Sequence, residues 1–326
     1  MIKYIIKRVL WIIPVLLGVL FIVFTIDRLT PGDPVVALLG SNYTQEQYDM
    51  KKAELGLDEP FFIQFYNYVK NIVTKLDFGI SYTNKRPVLD EVMDRFPVTL
   101  KLGLMGVFIT VIIGVPLGIV SATKQNSVAD YCVTSVSIFF ASMPNFWLAI
   151  MLIIIFSLQL KIFPATGLGS WESWVLPALA LGLSPIASVT RMTRSSMLEV
   201  IRQDYIRTAR AKGLAEGTVI RKHAVHNSMV TVVTVVGFQL SMIMGGSVIV
   251  ESIFAIPGIG TLMMSAINSK NYPIIEGCVL MIAIAVCVMN LLVDLIYGFV
   301  DPRIMAQYSR SKKKKEGNVI PQKAVS

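Results

Sequence analysis

Charged residues are scarce in this sequence. Only 16% of its 326 residues are Asp, Glu, Lys or Arg, whereas 54% are hydrophobic. The mean hydropathy is +0.64. Soluble globular domains carry about 25% charged residues. The composition therefore excludes an ordinary soluble domain and predicts an integral membrane protein.

Cysteine and histidine are scarce as well. Cys132, Cys278 and Cys287 lie in apolar runs without a C-x-x-C pair, so neither a disulfide framework nor a thiolate metal site is predicted. His223 and His226 have no adjoining carboxylate or cysteine, which favours a structural or interface role over a metal site. We expect no metal and no catalytic residue on this chain, and no nucleic-acid partner.

A nucleotide-binding phosphate loop is also missing. The pattern G-x-x-x-x-G-K-[ST] occurs nowhere in the sequence. Because the backbone and lysine of that loop hold the nucleotide phosphates, its absence excludes Walker-type ATP binding by this chain. No cofactor is expected on the chain itself.

Six apolar stretches are long enough to cross a bilayer, which requires about 20 helical residues. The first is predicted to be a retained span and not a signal peptide, because no small-residue cleavage site follows it. The third is too long for one straight helix and too short for two, and Pro144 predicts a kink or break near residues 142–145. The six stretches are 9–26, 102–123, 131–160, 173–190, 227–250 and 277–300.

Positive charge is distributed unevenly between the two sides of this six-span topology. An even number of spans places both termini on one side, together with the basic segment 191–228, while the short loops of the other side hold only Lys161 and Lys270. Because Lys and Arg concentrate on the cytoplasmic side, both termini are predicted to be cytoplasmic. We divide the chain into an N-terminal segment with the first helix (1–30), an extracytoplasmic helical insertion (31–96), a five-helix core (97–300) and a basic cytoplasmic tail (301–326).

The insertion is predicted to contain short helices. Thr44 and Gln47 have the spacing of a capping box, in which two side chains satisfy free N–H groups at a helix start. Pro60 suits the first position of a second helix, and Pro87 is expected to open a third. The insertion is too short to bury a large independent core.

Residues 191–228 form the longest charged interval in the second half of the chain, with eight Lys/Arg and three Asp/Glu. Ser196 and Glu199 have capping-box spacing, which predicts that a helix begins at Ser196. Gly213 is expected to end it, because glycine commonly follows a helix C-terminus. A second helix is predicted to start near Glu216. The interval is predicted to dock a component outside the bilayer.

Ionisable residues inside the spans are the usual mark of proton-coupled transporters, which need several of them. Asp294 is the only clear one in this sequence. A structural role near the cytoplasmic face is favoured for it, and a functional role remains the alternative. The chain is therefore predicted to form a path through the membrane without its own energy source.

The segment Asp204-Tyr-Ile-Arg-Thr-Ala-Arg-Ala-Lys-Gly213, followed by His223-Ala-Val-His-Asn227, resembles the cytoplasmic loop of ABC-importer permeases. The similarity is to the first permease subunit of the dipeptide/oligopeptide/nickel group. The general signature Glu-Ala-Ala-x-x-x-Gly matches only at Ala209 and Gly213, whereas the variant of this group matches throughout. Further similar segments follow in order along the chain, among them 29–34, 77–81, 250–254, 257–260 and 301–303.

The resemblance implies an all-α, six-helix ABC-importer permease fold in the bacterial cytoplasmic membrane. The chain would not be an enzyme by itself. Its implied partners are a homologous second permease, two cytoplasmic ABC ATPase subunits that bind ATP and Mg, and an extracytoplasmic substrate-binding protein. Di- or oligopeptides are the expected cargo. Nickel or a metal chelate is the alternative within the family, and a proton-coupled secondary transporter is the alternative outside it.

The resemblance also implies that the loop around Gly213 is a coupling helix seated in a groove of one ATPase. The residues implied in this contact are Tyr205, Ile206, Arg207, Thr208, Ala209, Lys212, Gly213 and Leu214.

The outer loop 251–276 is a second candidate site. Its segment Pro257-Gly-Ile-Gly260 is expected to give the backbone freedom to fold back between helices. We predict that this loop caps the translocation path and meets the binding protein; a purely structural loop is the alternative. The candidate residues are Glu251, Phe254, Pro257, Gly258 and Gly260.

Overall fold

The computed structural model describes residues 2–40 and 42–300. Regular structure in these residues is helical, apart from a single β-bridge between Ile80 and Pro87. The predicted basic tail (301–326) and the segment 301–303 lie outside the described residues. The helices are α1 (Ile2–Leu29), α2 (Pro34–Leu39), α3 (Gln45–Glu54), α4 (Phe61–Lys75), α5 (Val88–Thr123), α6 (Val128–Ala141), α7 (Asn145–Leu152), α8 (Val175–Leu183), α9 (Ile186–Ile201), α10 (Asp204–Ala211), α11 (Glu216–Thr218), α12 (His226–Ile253), α13 (Ile259–Asn268) and α14 (Tyr272–Val300).

Within residues 2–40 and 42–300, four helical segments are long and apolar enough to cross a membrane, and two bent pairs raise the number to six if each pair is one span. The pair 128–141 and 145–159 bends by 98° at Pro144, and the pair 171–183 and 186–201 bends by 53° before Ile186. The break predicted near residues 142–145 is confirmed. Its physical reason is that proline disfavours helical geometry in the residue before it.

Helix α5 differs from the sequence-based expectation. The helix expected to open at Pro87 and the span expected at 102–123 are one continuous helix of 36 residues, Val88–Thr123. At about 1.5 Å per residue it is about 54 Å long, well above the roughly 30 Å of hydrocarbon in a bilayer. The charged residues before residue 102 mark where the apolar stretch begins, whereas the helix itself begins at Val88. The division placed between residues 96 and 97 falls inside this helix.

The long helices α1, α5, α12 and α14 define two ends of the bundle. At the insertion end, α1 and α12 finish, α5 and α14 begin, and α2–α4 and α13 gather. At the loop end, α5 and α9 finish, α6 and α12 begin, and α10 lies against them. The start of α1 and the end of α14 also lie at the loop end, because α14 runs antiparallel to both α1 and α12. Which end faces the cytoplasm remains a prediction from the distribution of charge.

Small residues allow α5 to lie close to α8 and α9. A Cβ atom added to Gly182 would lie 2.7 Å from the carbonyl oxygen of Gly106. Thr110 donates to the carbonyl of Gly182 (2.8 Å), and Thr190 donates to the carbonyl of Gly114 (3.2 Å). Small residues and hydroxyl hydrogen bonds are the usual means of close helix association in membranes. The contact fixes α9, which leads directly into α10.

The insertion contains the predicted short helices. The capping box at the start of α3 is confirmed: the backbone N–H of Gln47 donates to Thr44 Oγ1 (3.3 Å), and the N–H of Thr44 donates to Gln47 Oε1 (3.0 Å). Helix α4 begins at Phe61, with Pro60 as its N-cap. Aromatic side chains of α4 pack on the last turns of α1, which attaches the insertion to the first span.

Candidate functional site

Helix α10 is a separate two-turn helix at the loop end. The prediction that a helix begins at Ser196 is wrong, because Ser196 lies inside α9. Its side chain is buried against α12 and donates to the carbonyl of Ser228 (3.2 Å). Helix α9 ends at Ile201, and α10 begins at Asp204 with Gln203 at the N-cap position. A serine in the interior of a helix has no free N–H groups to cap, because the N–H groups that follow it already bond within the helix.

The two faces of α10 have different environments. Ile206 is 0% exposed and Ala209 is 7% exposed, and both pack with Met197 and Val219 in an apolar cluster. Ile206 and Ala209, two of the residues predicted to contact the ATPase, are thus buried within the chain and attach α10 to the bundle. The exposed candidates are Tyr205, Arg207, Thr208, Lys212, Gly213 and Leu214.

The turn after α10 is fixed by geometry and charge. Gly213 has a φ of +77° and donates its N–H to the carbonyl of Arg210 (2.9 Å), which confirms the prediction that it terminates the helix. The Arg210 guanidinium binds both carboxylate oxygens of Glu216, at 3.0 and 2.6 Å. Paired Arg–carboxylate bonds of this kind fix orientation as well as distance. The exposed helix and the start of α11 are thereby held together.

A partly buried charge pair connects α9, on which α10 packs, to α6. Arg194 of α9 donates to both oxygens of Asp130 on α6, at 2.9 and 2.8 Å. Asp130 also accepts hydrogen bonds from Ser121 of α5 and from the backbone N–H of Asn126. One carboxylate thus joins α5, α6 and α9 at the loop end and holds these helices together.

The insertion end contains an interlock of three helices. Glu251 of α12 is fully buried, and its Oε2 atom accepts from the backbone N–H of Gly260 (2.7 Å). Thr99 of α5 accepts from the backbone N–H of Ile259 (2.9 Å). These N–H groups belong to the first turn of α13, where a helix has free donors and a partial positive charge. Side chains from α12 and α5 therefore cap α13 and fix its position.

The glycines of this interlock serve close packing. Neither glycine adopts a conformation that requires glycine, although the sequence predicts such backbone freedom for this segment. Gly258 has a φ of −101°, and Gly260 has no positive φ. A Cβ atom at Gly258 would lie 2.6 Å from both Thr99 Oγ1 and the Glu251 carboxyl carbon. One at Gly260 would lie against the backbone of Val248. The positive φ in this turn belongs to Ala255 (51°).

Most of the residues predicted to meet a binding protein are buried within the chain, and the contact itself stays a prediction. Glu251, Phe254, Gly258 and Gly260 are buried within the chain, and only Pro257 is half-exposed. Phe254 is further fixed because its carbonyl accepts from the N–H of Gly167 (2.9 Å). In this conformation the four buried residues hold the end of the bundle together. The capping of a path by α13 remains a prediction.

A cavity of about 560 Å³ lies where both bent pairs face the middle of α12. Among the described residues that line it, Arg191 is the only charged one, and none is histidine or cysteine. Breaks in membrane helices expose backbone polar groups, which are tolerated where the backbone lines a cavity or is covered by protein. The lining residues are Ala141, Asn145, Leu181, Ser184, Pro185, Ala187, Ser188, Arg191, Gln239, Ser241, Met242, Ile243, Gly245 and Gly246.

Asp294 forms an ion pair with Arg8 of α1, with 2.7 Å between the guanidinium nitrogen and the carboxylate oxygen. This contact agrees with a structural role within the bundle. The expectation that Asp294 is the only clear ionisable group in the spans is wrong, because five carboxylates are buried at helix ends: Asp27, Glu91, Asp130, Glu251 and Glu276. Sequence reasoning treated such charges as span boundaries, although a helix can bury them against its neighbours.

Residues 2–40 and 42–300 contain no group of three or more His, Cys, Asp or Glu side chains placed to hold a metal ion. His223 is half-buried and His226 is exposed.

Sequence reasoning did not single out Thr99, Asp130, Arg194 or Arg191. Only Asp130 had a local signal: Ser127 caps α6 with its side chain, and Ser-x-x-Asp is a helix-start pattern. The partners of Thr99 and Arg194 are distant in sequence, so no local pattern could identify them.

These features define a class of protein: a multi-pass helical membrane protein with a short exposed helix at one end. Two family models match the chain. One is described as "Binding-protein-dependent transport system inner membrane component" and matches residues 114–306. The other describes the N-terminal part of such membrane components and matches residues 1–103. The chain belongs to the family of binding-protein-dependent transport system inner membrane components.

Curated relatives match over nearly their whole length. The chain is 40% identical over 332 residues to the dipeptide transport system permease protein DppB of Alkalihalophilus pseudofirmus, covering 93% of this chain and 99% of that protein. It is 38% identical over 304 residues to the glutathione transport system permease protein GsiC of Escherichia coli (strain K12), with coverage of 93% and 99%.

Solved structures share the fold. The MetNI methionine ABC transporter in an inward-facing conformation matches with a TM-score of 0.56 and 19% identity, covering 65% of this chain and 97% of that chain. An amino acid ABC transporter crystallised with histidines matches with a TM-score of 0.50 and 17% identity, covering 66% and 94%. At these identities the comparison shows the ABC-importer permease fold alone.

Proposed function

We propose that this chain is the permease subunit of an ATP-driven importer that moves peptides across the cytoplasmic membrane. The observation that carries the proposal is the similarity over nearly the full length of a dipeptide permease and a glutathione permease. Glutathione is itself a tripeptide, so both names describe cargo with peptide chemistry. ATP hydrolysis would take place on two separate ATPase subunits, which hold ATP and Mg.

The 560 Å³ cavity between the broken helices is proposed as this chain's share of the path. Its neutral polar side chains, such as Asn145, Ser188 and Gln239, can exchange hydrogen bonds with a passing backbone without holding it tightly. Arg191 can attract the carboxylate of a peptide. Because the cavity has an open side, a homologous second permease would complete it. Selection of cargo would rest with an extracytoplasmic binding protein.

Helix α10 is proposed as the coupling helix. Its buried residues pack with Met197 of α9 and with Val219, which follows α11. Its exposed residues Tyr205, Arg207, Thr208, Lys212, Gly213 and Leu214 would contact one ATPase. The Arg210–Glu216 and Arg194–Asp130 pairs support the proposal, because they stiffen the connection between this surface and the bundle. A stiff helix transmits a displacement that a flexible loop would absorb.

The residues that line the cavity favour a peptide over a metal ion as cargo. Nickel prefers imidazole and thiolate ligands, and neither occurs among the described lining residues. Met242 is a weak exception. A proton-coupled carrier is disfavoured because Arg191 is the only charged residue among the described lining residues, and arginine does not release its proton in proteins.

The test is transport by the complete transporter, with its second permease, ATPases and binding protein, in proteoliposomes. We expect uptake of a radiolabelled dipeptide that requires ATP, stops with vanadate and continues after collapse of the proton gradient. Uptake of ⁶³Ni²⁺ in place of the dipeptide would support the metal alternative. Dipeptide uptake that survives vanadate but stops with a protonophore would overturn the proposal in favour of a proton-driven carrier.

A further inference from the structure

Helix α4 carries an apolar face that no described part of the chain covers. Phe62, Tyr66 and Val73 are 73%, 63% and 75% exposed. Their spacing of four and seven residues places them on one side of the helix. The neighbouring side, formed by Phe61, Phe65, Tyr68 and Ile72, is packed into the protein. An exposed stripe that contains two aromatic rings requires an occupant.

The position of α4 indicates the occupant. Phe21 of α1 makes edge contacts with Phe61 and Phe65, at ring-centroid distances of 6.0 and 5.4 Å. Phe21 lies in the membrane-crossing segment of α1, Ile6–Leu29. It is eight residues before the end of that segment, which corresponds to about 12 Å along the helix axis. Helix α4 therefore meets α1 at a depth where lipid surrounds the span.

The exposed surfaces of the two helices are continuous. Ile22 and Ile26 of α1 are exposed, and in a spanning helix such side chains face lipid. Phe61, which touches Phe21, is also in contact with the exposed Phe62 (5.4 Å between ring centroids). The lipid-facing side of α1 therefore continues onto α4 without a polar gap.

The remaining sides of α4 suit a membrane surface. Its sequence FFIQFYNYVKNIVTK contains Lys70 and Lys75 and no acidic residue. Gln64, Asn67 and Asn71 lie on the opposite flank and line a polar cavity of about 620 Å³. An apolar stripe, lysines and a separate polar side are the features of helices that lie in the plane of a membrane interface.

We infer that α4 lies in the bilayer interface at the insertion end, with Phe62, Tyr66 and Val73 among the acyl chains and Lys70 near lipid phosphates. The insertion is thereby held at a fixed height against the membrane beside α1. This inference concerns the resting position of the insertion and is independent of which cargo is carried.

The test uses nitroxide spin labels on single cysteines in the complete transporter in proteoliposomes, with Cys132, Cys278 and Cys287 replaced by serine or alanine. Val73→Cys reports on the apolar stripe. Its matched control is Thr74→Cys, an exposed neighbour about 100° away on the polar side. Collision rates are measured with oxygen, which concentrates in lipid, and with nickel ethylenediaminediacetate, which stays in water.

We expect the label at Val73 to collide more with oxygen than with the nickel complex, and the label at Thr74 to show the reverse order. Tyr66→Cys and Asn67→Cys form a second pair with the same expectation. Equal access of the nickel complex to Val73 and Thr74 would overturn the inference, because the stripe would then face water. Low access of both reagents to Val73 would also overturn it, since protein and not lipid would cover the stripe. Only variants that retain parental ATPase activity are compared.

Discussion

Gly213 shows how one residue can control a contact surface. Its positive φ of 77° ends α10, and no atom lies within 4 Å of an added Cβ. The requirement for glycine there is therefore conformational and not steric. Residues with a Cβ atom incur about 1–2 kcal/mol in this conformation, and asparagine tolerates it best. A substitution at Gly213 therefore tests the backbone conformation alone, because an added side chain meets no neighbouring atom at its Cβ.

Gly213→Val is expected to uncouple ATP hydrolysis from uptake, because valine disfavours the left-handed conformation that ends α10. A penalty of about 1–2 kcal/mol corresponds to roughly a tenfold loss of correctly formed helix ends. The measurement is ATP hydrolysed per cargo molecule taken up in proteoliposomes. Gly213→Asn, which adopts this conformation readily, is the control and should stay close to the parent. Normal coupling in the valine variant would contradict the assignment of α10.

At the scale of helices, the chain relies on polar side chains that cross between elements. Glu251 and Thr99 cap α13 from two other helices, and Asp130 joins three helices at the loop end. Two of these contacts join residues that are far apart in sequence: Thr99 with Ile259 and Arg194 with Asp130. Such hydrogen bonds fix the positions of short or broken helices, because apolar packing is non-directional and does not specify one orientation. They make both ends of the bundle rigid.

Glu251→Ala is expected to lower the thermal stability of the purified protein. It removes the acceptor for the buried N–H of Gly260, and an unsatisfied buried donor costs about 1–3 kcal/mol. Glu251→Gln keeps an oxygen acceptor without the negative charge. Because Oε1 of Glu251 has no partner among the described residues, the glutamine variant should match or exceed the parent. Equal melting temperatures for Ala and Gln would show that the bond to Gly260 does not support α13.

At the scale of the molecule, both bent pairs open toward the same part of α12. Each break lies at a proline, Pro144 and Pro185, and both breaks line one cavity with Gly245 and Gly246. Discontinuous helices near the middle of a membrane are a common way to build a transport path. The cavity is wide and mostly neutral, which suits cargo that must leave again.

Gly245→Phe is expected to block dipeptide uptake, because the phenylalanine ring would extend into the cavity. The protein should still fold, because a Cβ atom at this position meets no atom within 4 Å. Gly18→Phe is the matched control, since Gly18 of α1 is equally open but lies away from the cavity. Uptake and membrane abundance are measured for both. Full uptake by an abundant Gly245→Phe variant would exclude this cavity as the path.

The sequence alone determined the features that depend on local composition. Apolar length predicted the spans, Pro144 predicted a break, Thr44 and Gln47 predicted a capped helix, and Gly213 predicted a helix end. The order of short motifs also predicted the family. These features could be read locally because hydrophobicity, proline geometry and capping act over a few neighbouring residues.

Only the tertiary structure decided how distant residues meet. Ser196 has the local form of a helix cap, yet burial between α9 and α12 makes it an interhelical donor. Ile206 and Ala209 belong to a motif on an exposed helix, yet they face inward. Glu251 and Gly260 lie in a stretch that the sequence predicts to be an outer loop, yet they form a buried interlock. Burial and hydrogen-bond partners depend on which helices pack together, and that depends on the whole chain.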